Sequence, residues 1–361
     1  MKRGLVKLDP AEIPDAERSD RVARLQRQLR DAGTDVGLIY GDVSRSDDIA
    51  YLTNLCIYWN EGILAVPATG DPVFLTKLSP RVFGWMRQVS TDTDIRSGRQ
   101  FGDLVAKLLA DNATAAIGLI DAALWPASVA REIRAALPRH DIRDTGDLAR
   151  QARLAPSEHE LALLRQGGGL LARTLNEAAA NGLTPNARIA AIERGLRGQG
   201  FLDVFARAAE APDGVVSLQA TGQFRNLWVH ASRLADAGAA AWPAALNGAL
   251  TAAINAARPG VTAAGLADAA DEALGELPVA ATASVGWVHQ ADMATNGEYA
   301  SYQAGLPIPS GAVVVITVDA AHPDGRHAQV ADTVAVTADG ARSLTEPSDR
   351  SLTEPNLEAA R

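Results

Sequence analysis

The longest helical pattern in the sequence, residues 157–180, constrains the fold most because it separates two stretches of different character. Ser157 is suited to cap its first turn, and Glu160, three residues later, is suited to complete a capping box. The apolar residues that line one face are Leu161, Leu164 and Leu171. This helix predicts a domain boundary just before it, near Arg153.

The stretch before the boundary alternates short helices and strands. Apolar spacing predicts a helix over residues 18–32 that ends at Gly33. Strands are predicted, in chain order, at 36–40, 49–52, 62–67, 72–75 and 116–120. Further helices are predicted at 101–110 and 127–137. This order indicates a small α/β domain over residues 1–152.

The stretch after the boundary begins with helices and ends with strands. Alanine-rich helices are predicted at 186–199 and 240–257, and a third begins at Thr262. Two β-branched runs, 312–319 and 333–337, flank the loop 320–328 and predict a hairpin. We therefore expect a second domain over residues 153–342.

The end of the chain carries a short duplication. The sequence Ser-Leu-Thr-Glu-Pro stands at 343–347 and again at 351–355. Because this stretch contains few apolar residues, we predict that residues 343–361 form a disordered tail.

Composition excludes several classes of partner. With 361 residues and 47% hydrophobic content, the chain can bury a large core. A net charge of −9 argues against nucleic acid and membrane as partners and favours a small molecule or a peptide. No apolar stretch is long enough to span a bilayer and no leader pattern begins the chain, so we predict a cytoplasmic protein.

Few single motifs carry chemistry. The single cysteine, Cys56, excludes an internal disulfide, and its apolar neighbours favour a buried structural thiol over a nucleophile. No phosphate loop, nucleophile elbow or dinucleotide fingerprint is present. The glycines at 167–169 lie inside a helical pattern with no strand before them, which indicates a helix irregularity and not an anion site.

Several stretches together resemble one enzyme family. In chain order they are Asp-Ile-Ala-Tyr-Leu-Thr-Asn at 48–54 with the hairpin 62–72, the segment 153–161, and the strands 313–319 and 331–340. Their order and spacing resemble those in the family that includes creatinase, aminopeptidase P, prolidase and methionine aminopeptidase. The resemblance implies an α/β (α+β) protein with a creatinase-like N-terminal domain, a pita-bread catalytic domain and a homodimeric state.

The resemblance also implies where metal ligands would stand. Metal-dependent members bind two divalent ions with two Asp, one His and two Glu. The matching positions here hold Gln219, His230, His289, Asp319 and Ala331. Since only His289 is the same residue type as the family's ligand at its position, we expect no metal and no other cofactor. Creatinase is similar in this respect, because it uses histidine as acid and base without a metal. The alternative is a single zinc or iron held by the four polar residues of this set.

The resemblance brings the two histidines together and suggests their role. His230 and His289 are expected to meet in one cavity, where a neutral imidazole can exchange protons near pH 7. Asp319 is expected to orient the imidazole, and Gln219 to contact substrate. The alternative is that either histidine is a hydrogen-bonded core residue.

Other residues are candidates for substrate binding. Arg225 and Arg233 flank the His230 strand and can clamp a carboxylate, although Arg233 fits a structural ion pair equally well. Glu298 and Tyr299 follow His289 where family members carry substrate-facing groups.

Aromatic residues suggest the walls of the site. Trp228 and Trp287 each precede a histidine by two residues, so they share its face on a strand and can wall the pocket or pack as core. The loop with Tyr58, Trp59 and Glu61 matches the loop that, in dimeric relatives, reaches the partner's site. Such groups suit an organic cation or a flat apolar group, or they pack within the hairpin.

Two classes of function follow from these residues. The first is a metal-independent hydrolase or lyase that cleaves a C–N bond in a small amino-acid-like or guanidino-like substrate. The second is a non-catalytic binding protein, as in the histone-chaperone subunits that use this fold. A mononuclear metal hydrolase is a third alternative.

Overall fold

A computed structural model describes residues 9–57, 60–91, 93–111, 114–180, 182–238, 242–274, 280–287, 297, 300–301, 305–321 and 326–346. They form two β-sheets, each of which packs against helices. Within these residues, no helix combines the length and the apolar character needed to cross a bilayer.

The helices are, in chain order, α1 Asp15–Asp31, α2 Asp47–Thr53, α3 Phe83–Val89, α4 Phe101–Leu108, α5 Ala127–Ala136, α6 Leu148–Ala152, α7 Glu158–Ala180, α8 Pro185–Gly198, α9 Trp242–Ala256 and α10 Ala263–Leu274.

The strands are β1 Val36–Asp42, β2 Glu61–Pro67, β3 Val73–Thr76, β4 Asp94–Ser97, β5 Ala116–Ile120, β6 Asp141–Asp144, β7 Asp203–Glu210, β8 Val216–Phe224, β9 Leu227–Ala235, β10 Ala280–Trp287, β11 Ala300–Ser301, β12 Val313–Ala321, β13 His327–Thr337 and β14 Gly340–Ser343.

The first sheet has the order β4-β3-β2-β1-β5-β6 and is covered on both faces. Side chains alternate along β1, so Leu38 packs with α4 and α5, and Ile39 packs with α1 and α2. This arrangement confirms the small α/β domain predicted from the sequence.

The predicted strand at 49–52 is wrong, because these residues belong to α2. The acidic side chains Asp47 and Asp48 lie in the first turn, where the helix dipole favours negative charge. At the other end Asn54 takes a left-handed conformation and its N–H donates to Ala50 O, which closes the helix. The β-forming residues Ile49 and Tyr51 are buried on the helix instead of on a sheet.

The second sheet has the order β11-β10-β12-β13-β9-β8-β7, and β14 pairs with β13. Helices α7 and α8 cover β7 to β9, while α9 and α10 cover β10 and β12. Ala231 and Ile316 belong to the cores beneath these helices. This is the predicted second domain, although its second hairpin strand begins at His327 and not at 333.

The junction between β9 and β13 is narrow. The register pairs there are Ala331 with Ser232 and Asp332 with Ala231, compared with nine register pairs between β8 and β9. We call this junction the seam.

Helix α7 begins with the predicted capping box. Ser157 N donates to Glu160 Oε2 at 2.9 Å, and Glu160 N donates to Ser157 Oγ at 3.1 Å. Further along the helix, a Cβ at Gly168 would collide with the carbonyl oxygen of Leu344. Gly168 therefore allows close packing between α7 and the chain that follows β14, and Gly167 allows close packing against Phe224 on β8.

The prediction of disorder from residue 343 onward is wrong for residues 343–346. Leu344 is 4% exposed and Thr345 is fully buried. The segment docks through polar contacts that its few apolar residues do not reveal. The rest of the predicted tail, 347–361, lies outside the described residues.

Candidate functional site

The face of the second sheet opposite its helices carries a row of polar side chains. Residues that lie directly opposite each other on neighbouring strands share a face. The opposing pairs on this face are Arg207 with Gln219, Thr221 with His230, Gln219 with Ser232, Ala331 with Ser232, and Asp319 with Gln329. The register thus brings Gln219, His230, Asp319 and Ala331 onto one surface, which we call the polar row.

His230 is held from two sides. Its Nδ1 lies 2.9 Å from Thr221 Oγ1, and the residue is 5% exposed. Its backbone N–H donates to Thr333 Oγ1 at 2.9 Å, and the same hydroxyl donates to His230 O at 2.7 Å. At the seam, the Thr333 side chain therefore makes the bonds to the His230 N–H and C=O that a neighbouring strand's backbone would otherwise make. These bonds fix the position of the His230 backbone and thus of its imidazole.

Burial lowers the pKa of His230 to about 4, and the positive charges of Arg207 and Arg233 act in the same direction. The Gln329 side chain opposes them as an acceptor facing the imidazole. His230 is therefore neutral at pH 7 and is a weak base in the free protein. A substrate carboxylate placed beside it would raise this pKa toward the range useful for proton transfer.

Asp319 is hydrogen-bonded to Gln329, a residue that the sequence pattern did not single out. Gln329 Nε2 donates to Asp319 Oδ1 at 2.9 Å. Burial raises the pKa of Asp319, while this hydrogen bond and the nearby His327 lower it. The predicted direct contact between Asp319 and His230 is replaced by an amide that faces both groups. The one signal for Gln329 was its place two residues before Ala331 on a strand.

Trp228 lies on the same face of the sheet as the polar row and is tied to the first domain. Its indole N–H donates to the buried carboxylate of Asp47, on α2, which also accepts from Gln223 Nε2 at 3.0 Å. Phe205 stacks on Trp228 with ring centroids 6.1 Å apart. At 1% exposure Trp228 belongs to the core, which agrees with the core alternative for this residue, and a carboxylate from the other domain holds it.

Trp287 does not line the polar row. Gly286 lies opposite Val315, so Trp287 turns to the other face and joins the core under α9 and α10. The structure therefore corrects the pocket-wall interpretation and favours the core alternative for this residue.

Neither arginine beside the His230 strand points its charge into the polar row. Arg225 lies in the β8–β9 turn, where its Nε donates to the Glu12 carboxylate at 2.8 Å and 2.9 Å. Arg233 pairs with Asp332 at 2.8 Å and donates to Thr345 O at 2.7 Å. The carboxylate-clamp interpretation is corrected for both residues, and the structural ion pair holds for Arg233.

Arg207 takes the place expected for those arginines. It is exposed on β7, opposite Gln219, and its charge reaches His230. Arg207 was not predicted as a site residue because β7 itself was not predicted.

The remaining predicted residues add less. Glu61 accepts from Tyr40 Oη at 2.7 Å and from Lys77 Nζ at 3.0 Å, within the first domain. This contact agrees with packing inside the hairpin. The other candidates, Tyr58, Trp59, His289, Glu298 and Tyr299, lie outside the described residues. The lone thiol, Cys56, is half-buried and lies 3.6 Å from Ser46 Oγ.

The residues of the polar row do not fit a dinuclear metal centre. Two divalent ions need a cluster of anionic oxygen ligands. Gln219, His230 and Ala331 carry no carboxylate, and the Asp319 carboxyl accepts a hydrogen bond from the Gln329 amide. Within the part of the chain that the structure describes, no group of three or more His, Cys, Asp or Glu could hold a metal ion.

Comparisons with known proteins bear on the first domain and on the fold. Residues 21–155 match the family model of the Creatinase/Prolidase N-terminal domain. A search of curated proteins finds no match.

Solved structures extend the likeness to nearly the whole chain. An Xaa-Pro dipeptidase from Bacillus anthracis is 14% identical, with a TM-score of 0.72, and the match covers 92% of this chain and 99% of that one. The dipeptidase PepE from Mycobacterium ulcerans is 21% identical, with a TM-score of 0.69 and coverage of 94% and 97%. The N-terminal domain of the FACT complex subunit SPT16 from chickpea (Cicer arietinum) is 10% identical, with a TM-score of 0.66 and coverage of 92% and 96%. At these identities the matches show a shared fold.

Proposed function

We propose that this chain, which belongs through its N-terminal domain to the creatinase and prolidase family and has the prolidase fold throughout, is a hydrolase or lyase that acts without a dinuclear metal centre. Its substrate is a small amino-acid-like or guanidino-like molecule in which a C–N bond is cleaved. The observation that carries the proposal is the polar row, which keeps a buried histidine and a carboxyl where relatives of this fold would hold metal ligands.

Each residue of the polar row has a part in this proposal. Arg207 binds the substrate carboxylate in bidentate fashion. That negative charge raises the pKa of His230, so the imidazole can take a proton from water or substrate and return it to the leaving nitrogen. Thr221 holds the ring, and Asp319 acts on it through Gln329.

The substrate's other end faces aromatic rings. Phe205 is half-buried beside the fully covered Trp228, so it offers a flat surface for an apolar group or an organic cation. His289 is proposed as the second acid or base. We also propose a homodimer in which Tyr58 and Trp59 approach the partner's site while Glu61 holds the base of their loop, and light scattering on the purified protein tests the dimeric state.

A screen for turnover tests this function. Dipeptides, amino-acid amides and guanidino acids are incubated with purified protein whose metal content is measured by elemental analysis. We expect cleavage of at least one compound, unchanged by chelator and reduced at least about 100-fold by His230→Ala, since general acid–base groups contribute about 10²–10⁴-fold. Arg207→Ala should raise KM more than it lowers kcat. The matched control is Arg194→Ala, at an exposed position, and it should leave both constants unchanged. Stoichiometric metal together with chelator-sensitive activity would refute the proposal and support the mononuclear alternative.

A second candidate is a binding protein without catalysis. The match to the chickpea FACT subunit domain shows that this fold occurs in a subunit of a protein complex. The deep burial of His230 also suits a structural histidine. Saturable binding of a screened compound without turnover would favour this candidate.

A further inference from the structure

The chain that follows β14 occupies a specific slot between α7 and β13. We define the slot by Gly168, Arg233, Asp332 and Thr333, which contact residues 343–345. Its occupant is nearly inaccessible to solvent, since Leu344 is 4% exposed and Thr345 fully buried.

The slot recognises two hydroxyls separated by one residue. Asp332, itself 7% exposed, accepts from Thr345 Oγ1 at 2.7 Å and from Ser343 Oγ at 3.0 Å. Arg233 forms an ion pair with this carboxylate, with Nη2 2.8 Å from Asp332 Oδ1, and the same nitrogen donates to Thr345 O at 2.7 Å. Hydrogen bonds to a buried ionised group are strong, so a segment without both hydroxyls binds less well.

The slot also fits the main chain between these hydroxyls. Leu344 N donates to Thr333 O at 2.8 Å, and Thr333 N donates to Thr345 Oγ1 at 3.2 Å. Gly168 leaves room for the Leu344 carbonyl, and the leucine side chain joins the core. Ser-Leu-Thr is therefore matched at each of its three positions.

The sequence holds a second copy of this ligand. Arg-Ser-Leu-Thr-Glu-Pro stands at 342–347 and again at 350–355, eight residues later. Because the offset is even, a chain shifted by one copy keeps the alternation of side chains that β14 requires. The shift lengthens the β13–β14 turn, and each doubling of a loop lowers the population of the closed form only about threefold.

We propose that the slot is a docking site for either copy, and that Ser351-Leu352-Thr353 of the same chain takes it when the first copy leaves. The first copy dominates because its turn is shorter. The protein thus has two alternative C-terminal registers that share one site.

Unfolding measurements on paired variants test the exchange. Ser343→Ala/Thr345→Val disables the first copy, Ser351→Ala/Thr353→Val disables the second, and a fourfold variant disables both. We expect the second-copy variant to match the wild type and the first-copy variant to be mildly destabilised. In the variant that carries all four substitutions, the unfolding equilibrium constant should rise at least about tenfold more than the product of the rises in the two paired variants.

Limited proteolysis gives an independent readout of the register. In the first-copy variant, trypsin cleavage should fall at Arg350 and rise at Arg342, because Arg350 then occupies the β14 position. Additive losses, a first-copy variant that does not fold, or an unchanged cleavage pattern would each overturn the proposal. So would a stability of the first-copy variant that rises with protein concentration, because docking would then come from another chain.

Discussion

Replacement of Asp47 by asparagine should uncouple the two domains without changing the shape of the side chain. The buried Asp47 carboxylate accepts from Trp228 Nε1 and from Gln223 Nε2, both in the second domain. Asparagine keeps one acceptor oxygen and places an NH₂ group against the other donor. Hydrogen bonds to charged groups contribute about 1.5–3 kcal/mol each, and a buried donor left unsatisfied costs a similar amount.

We therefore expect Asp47→Asn to lower the free energy of unfolding by about 3 kcal/mol, measured by urea denaturation. The exposed Asp20→Asn makes the same change of charge on α1 and should stay within about 0.5 kcal/mol of the wild type. A double-mutant cycle with Trp228→Phe, which removes the indole N–H but keeps a ring, isolates the contact. We expect a coupling of about 1–2 kcal/mol, and a coupling near zero would refute the account of Trp228 as held by the first domain.

Two further outcomes follow from burial and from close packing. Because the pKa of His230 falls from 6.5 to about 4 on folding, the unfolded state binds the proton first, and stability should decline by about 3 kcal/mol as pH drops from 6.5 to 4. His230→Gln should flatten this decline in pH-dependent unfolding curves, and an unchanged curve would contradict the buried neutral imidazole. Gly168→Ala should cost about 1–3 kcal/mol in thermal unfolding because its Cβ meets a backbone carbonyl, whereas Gly198→Ala, with open space around it, should be neutral or slightly stabilising. Equal effects of the two alanines would show that the slot adapts without strain.

Local sequence patterns predicted the elements whose causes are local. The capping box of α7 and the β-branched runs of β12 carry their own signals. Helix α2 was misread because Ile49 and Tyr51 favour strands, and only the acidic first turn and tertiary burial make it helical. Strand β7 was missed because small alanines such as Ala206 give no alternation of polar and apolar side chains.

The candidate site depends on strand register, which the sequence expresses less directly. The family resemblance placed His230 and Asp319 on one surface because it supplied the register. Gln329 and Arg207 could not be assigned without knowing which residues lie opposite them. The tie from Asp47 to Trp228 joins residues 181 positions apart, and no short pattern marks it.

The seam between β9 and β13 divides the second domain into two halves. On one side stand β7 to β9 with α7 and α8, and on the other stand β10, β12 and β13 with α9 and α10. His230 belongs to the first half and Gln329 to the second, so a ligand that contacts both side chains would bridge the seam. Hydroxyl groups join the halves where backbone pairs are few: Thr333 Oγ1 bonds both backbone groups of His230, and Ser232 Oγ donates to Gln329 O at 2.7 Å, so these side chains set how far His230 lies from Gln329.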